Sequence, residues 1–199
     1  MTGATAPQSR RLRSLLPMRL RALLGERRGT IPIEMALVAP VLITMLLGTL
    51  DVGWYMIMQH KISRVAATVA DLTSRGETVN EAQLADIFAA ASAVADPFDF
   101  DIEGRAIVSS LTNPDGDGAV IAWQRRSPSG LDVDSHLGAA GAAPSLAAGF
   151  AVAANENIVI AESFFDFQPL VGFILRGTQS VYVQAVQRPR LGTLDQVMP

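Results

Sequence analysis

The sequence predicts an α+β protein: a single N-terminal transmembrane helix that continues outward as a long helix, a second helix, then a four-stranded antiparallel sheet. Three observations carry this. Residues 35–50, MALVAPVLITMLLGTL, hold no charge. Two following runs repeat apolar side chains at helical spacing. Beyond residue 100 the period falls to two in four separate runs.

The uncharged run is short of the roughly 20 residues that cross a hydrocarbon core, but Ile31–Glu34 on one side and Val52–Met58 on the other extend it. Pro32 falls in the first turn, where a proline costs little, and Pro40 lies inside the segment and predicts a kink. Trp54 and Tyr55 suit the far interface. The acids Glu34 and Asp51 fall near opposite faces of the membrane or tuck against partners, and Glu34 is favoured by the helix dipole. Residues 1–30 hold seven Arg against one Glu, giving +6, and the rest carries −9. The basic side stays in the cytoplasm, so residues from about 60 onward lie across the membrane. A basic head abutting an apolar segment is not a nucleic-acid-binding pattern. No A-x-A-like site follows the apolar run, which argues against a signal peptide. The chain has no Cys, excluding disulfides, thiolate nucleophiles and cysteine-ligated metals.

Residues 58–75 continue the helix with Ile62, Val65, Ala66, Val69 and Leu72 as an apolar stripe, and Gly76 stops it. Asn80 as N-cap and Gln83 three residues on open a second helix over 81–94, with Leu84, Ile87, Phe88, Ala91 and Val94 inward and Pro97 beyond its end. The strands follow at 102–112 and 119–126, around Asn113–Gly118, then at 156–167 and 178–188. Phe98, Phe100 and Ile102 alternate with Asp99, Asp101 and Glu103, as on a strand with one wet face. Residues 127–148 read as a surface loop, and LVGFIL (170–175) as a short helix on the core.

The stretch Gly29-Thr30-Ile31-Pro32-Ile33-Glu34 resembles the processing site of type IV prepilins: a glycine, four mostly apolar residues, a glutamate, then a hydrophobic helix. IEMALVAPVLITMLLGTLDVGWYM resembles more narrowly the TadE-like family, pilin-related proteins of the Tad (tight adherence, Flp-type) secretion system. Glu34, Ala36, Leu37, Pro40, Gly48 and Asp51 fill the family's places, including its Gly-x-x-acid ending. IVIAESFFDFQPLVG (158–172) and WQR (123–125) are similar to strands of longer TadE-like and TadG-like proteins. The resemblance implies that prepilin peptidase cuts between Gly29 and Thr30, and that Glu34 pairs with the free amine of a neighbouring subunit. Thr30 departs from the usual bulky apolar residue, and the 29-residue leader is long for a prepilin.

With the resemblance, the chain divides into a basic cytoplasmic leader (1–29), a transmembrane helix (30–58) and a periplasmic pilin-like α+β head (59–199) containing the loop 127–148. The expected function is that of a minor pilin or pseudopilin in the bacterial inner membrane, supporting assembly of a Tad-type pilus. Gly29 and Thr30 are its processing site, and Glu34, Pro40 and Asp51 its assembly residues. The expected partners are the membrane, the prepilin peptidase, other Tad pilins and the assembly platform, with no nucleic acid and no cofactor. An uncleaved single-pass assembly factor of the same system is the alternative, and a membrane-tethered periplasmic enzyme or sensor the second.

Chemistry-bearing motifs are sparse. Asn113–Gly118 matches the opening of a calcium loop, but its twelfth place is Gln124, not the bidentate Glu that such a loop needs; the same residues build a polar turn. His60 reads as an interface residue. His136 sits in VDSHLG without a nucleophile elbow. Glu162 reads as a solvated or Arg-paired strand residue. No phosphate- or dinucleotide-binding fingerprint is present. No catalysis and no metal are expected.

Overall fold

The computed structural model describes residues 30–198; the expected leader 1–29, with Gly29, lies outside the described residues. The first helix, α1, runs over Thr30–Thr73 as one 44-residue helix. It continues through Pro40, and the Thr44 hydroxyl donates to the Pro40 carbonyl one turn back at 2.8 Å. The chain divides after Leu46 into two compact units. In the first, the large apolar side chains from Ile31 to Leu46 are 40–77% exposed. By length and composition, α1 is the helix among the described residues long and apolar enough to span a membrane.

The second unit begins at Leu47. Here α1 turns amphipathic: Met58, Ile62, Val65 and Val69 are fully buried, four side chains at spacings of three and four that fall on one face. The helix ends three residues before Gly76. After the two-residue strand β1 (Val79–Asn80) comes α2 (Glu81–Ala95). Its predicted capping box forms: the Asn80 side chain accepts from the Gln83 N–H at 2.8 Å, and the Gln83 side chain accepts from the Asn80 N–H at 3.0 Å. Such a cap is worth about 1 kcal/mol. Leu84, Ile87, Phe88 and Ala91 are buried as expected, while Ala95 takes the innermost place that Val94 was expected to hold.

The expected strand start at 102 is corrected. Phe100–Glu103 form a one-turn helix, α3, because burying Phe100 takes a helical turn rather than an alternating face. Ile102 is left exposed. The strands are β2 (Gly104–Asn113), β3 (Val120–Arg126), β4 (Glu156–Phe167) and β5 (Gln179–Gln187), in the antiparallel order β3-β2-β4-β5. Both predicted hairpins thus join through β2 and β4, in register from Gly104 opposite Phe165 to Asn113 opposite Glu156. A short β6 (Val197–Met198) pairs in parallel with β1, a contact that no pattern in those residues signals.

The sheet has two dry faces. Ala106, Val108, Val159, Ala161, Phe165 and Phe167 pack with the buried residues of α1 and α2. Leu111, Ile121, Ile158 and Ile160 pack with Leu137 and Val152. Residues 127–148 are therefore not only a surface loop: without helix or strand, they lay Leu137 across the second face. The LVGFIL run is also not a helix. It forms bends, and Gly172 has φ +67°, a conformation natural to glycine.

Candidate functional site

The Gly-x-x-acid ending of the apolar segment, Gly48 and Asp51, forms one docking cradle in the second unit. The two residues lie three apart on one helix face. Asp51 is fully buried. One of its carboxylate oxygens accepts the Val171 N–H at 2.9 Å, and the other accepts the Phe173 N–H at 3.1 Å. A buried carboxylate without such donors would be costly. One turn earlier, a Cβ on Gly48 would collide with the Ile174 side chain, which fills the space the glycine leaves. The acid holds the backbone of the loop, and the glycine admits its side chain. Trp54 and Tyr55 turn their rings onto Phe98 and Phe167, at 5.0 and 5.4 Å between centroids, so the core of the head begins one turn past Asp51.

The other expected assembly residues lie in the first unit. Thr30 opens α1, and Glu34 and Pro40 are exposed. Asp51, grouped with them by sequence, differs in that both its oxygens are taken within the chain.

Glu162, expected to be wet or paired with Arg, is instead fully buried. Its carboxylate accepts the Ser135 hydroxyl, the His136 N–H at 3.0 Å and the Tyr182 hydroxyl at 2.9 Å. The His136 ring packs on Tyr182 at 4.4 Å and on Phe164 at 5.1 Å. Burial, and then the charge of Glu162, push the Tyr182 hydroxyl well above its ordinary range, so it stays a donor. Ser135, His136 and an acid thus sit together, but the Ser135 proton goes to Glu162 and its oxygen accepts the Leu137 N–H at 3.1 Å. The group works as a latch that fixes residues 135–137 to the sheet.

Two further devices tie coil to sheet. The buried Arg105 guanidinium donates to the carbonyls of Ser127, Gly130 and Leu131; the sequence signal, an arginine between Gly104 and Ala106 in an apolar strand, was not read. Each side chain of the WQR motif bridges from β3 to another element. The Trp123 indole donates to the Leu194 carbonyl at 2.8 Å, Gln124 donates to the Gly138 carbonyl at 3.1 Å, and Arg125 pairs with Glu81 at 2.7 Å.

In the Asn113–Gly118 turn, the Asn113 side chain accepts the Gly118 N–H at 3.2 Å and donates to the Val152 carbonyl at 2.8 Å. That side chain organises the turn. No cluster of three or more metal-ligating side chains occurs among the described residues, and His60 is exposed.

Residues 29–71 match the model of a protein family described as TadE-like protein, the family to which the motif points. The match takes in Gly29, Glu34, Pro40, Gly48 and Asp51 and ends before the sheet. No curated protein and no solved structure matches the chain.

Proposed function

From the TadE-like character of residues 29–71, we propose that this protein is a membrane-anchored minor pilin or pseudopilin that supports assembly of a Tad-type pilus. The observation that carries the reading is that the family match falls on the one described helix apolar and long enough to cross a membrane. In this reading the seven-Arg leader stays in the cytoplasm and the head stands in the periplasm. Prepilin peptidase cuts after Gly29. Glu34, on the uncovered part of α1, meets the new amine of a neighbouring subunit.

An unpaired carboxylate in lipid costs about 2.5–3.5 kcal/mol, so only the stagger that supplies a cation is favoured. The sheet and its latches are a scaffold with no catalysis; the bonding of Ser135, which gives its proton to a carboxylate and not to an imidazole, supports this.

The test has two arms. The mass of the N-terminal peptide of membrane-extracted protein should begin at Thr30; an intact basic leader instead favours an uncleaved assembly factor, the reading supported by the Thr30 and leader-length departures. Glu34→Gln should leave the membrane-bound amount unchanged and lower the amount recovered with sheared fibres by about 60- to 300-fold, from about 1.4 kcal/mol per decade applied to that cost. Equal recovery of the variant refutes the role of Glu34.

A further inference from the structure

We propose that the Leu170–Ile174 loop is a second membrane contact, inserted at the lipid interface beside α1, so that the head is held down on the bilayer. The proposal rests on the anchoring read above. The uncharged run Met35–Leu50 is several residues short of the roughly 20 that a hydrocarbon core needs, so a span counted from its start ends beyond Asp51. A bare carboxylate at that depth is strongly disfavoured. Asp51 is not bare: it is fully buried, and the Val171 and Phe173 N–H groups take its two oxygens.

The same contacts satisfy two backbone N–H groups of the loop, as a non-helical segment needs at the edge of lipid. The loop dresses the acid in apolar side chains. Leu170, Phe173 and Ile174 are 67, 50 and 53% exposed, and residues 168–175 carry no charge. On α1 in the same unit, Leu50, Val52, Met56 and Ile57 are also exposed. Within this unit, exposed apolar side chains of α1 thus flank Asp51 in the chain, and those of the loop flank its two donors. Arg176 closes the loop, exposed, where a guanidinium meets anionic headgroups.

The chain has no Cys, so Phe173→Cys, Leu170→Cys, Leu42→Cys and Asp117→Cys each give a unique site for a nitroxide. The labelled full chain is placed in vesicles of phosphatidylethanolamine and phosphatidylglycerol. Relaxation by lipid-soluble oxygen is compared with relaxation by an aqueous nickel chelate. Positions 170 and 173 should favour oxygen over nickel several-fold, as position 42 does, at shallower depth, while position 117 in the β2–β3 turn favours nickel. If 42 is in lipid but 170 and 173 are as wet as 117, the loop proposal is overturned and the anchor stands. If 42 itself is wet, the anchor falls and the proposal with it. If 170 and 173 are shielded from both agents, protein covers the loop and the lipid contact is refuted.

Discussion

Removing the Glu162 carboxylate should release the coil that covers the second face of the sheet. Three donors converge on it: the Ser135 hydroxyl, the His136 N–H and the Tyr182 hydroxyl. In Glu162→Ala the two hydroxyls can turn to other acceptors. The His136 N–H cannot, and a stranded donor costs about 1–3 kcal/mol beyond the bonds themselves, each worth about 1.5–3 kcal/mol to a charged acceptor. A total near 3–5 kcal/mol follows. Glu162→Gln keeps an oxygen for His136 and Tyr182 but turns an amide toward Ser135, whose oxygen already takes the Leu137 N–H; about 1–2 kcal/mol is expected.

The assay is urea unfolding of the full chain in mild detergent, with native-state hydrogen exchange across residues 131–142. The midpoints should fall in the order wild type, Gln, Ala. In the Ala variant exchange at His136 should quicken by about a hundredfold, since about 3 kcal/mol is about two decades in an opening equilibrium. An Ala variant with the wild-type midpoint and unchanged protection at His136 would refute the latch.

Gly130 has φ +106°, and a Cβ there would strike the Gly104 carbonyl oxygen; Gly130→Ala should cost more than about 2 kcal/mol, and an unshifted melting temperature would count against the close approach. The Asp71 carboxyl is held below its usual value by the Arg75 hydrogen bond, with the charges of Arg75 and Arg190 assisting and burial opposing. Its contribution is present above the unfolded-state pKa of about 3.9 and is lost as the pH falls through the lower folded value. Acidification below about pH 4 should therefore lower the urea midpoint of the wild type more than that of Asp71→Asn, and parallel losses would remove Asp71 as a cause.

Where one local signal was enough, the sequence was readable. Asn80 and Gln83 marked the start of α2, and the apolar, aromatic-rich run in residues 156–167 matched β4 to its end residues. Period failed where burial is not periodic. Phe98–Glu103 alternate like a strand, yet one helical turn buries Phe100. LVGFIL has the apolar content of a helix, but no cap opens it, and its shape answers to Asp51, 120 residues away. Residues 127–148, rich in Ala, Gly, Ser and Pro, carry the few bonds that matter at isolated positions: Ser127 and Gly130 to Arg105, and Ser135 and His136 to Glu162. Gly48 and Asp51 were legible as a motif, but their shared task was not, because the loop they receive comes from the other end of the chain.

That distance has a consequence in time. At about 5–20 residues per second of synthesis, the stretch from Asp51 to Val171 takes roughly 6–24 s to appear. Throughout that interval the ribosome has delivered the acid but not its donors. The nascent helix must therefore leave Asp51 in water, and the carboxylate can take up its native bonds only after Phe173 has been made.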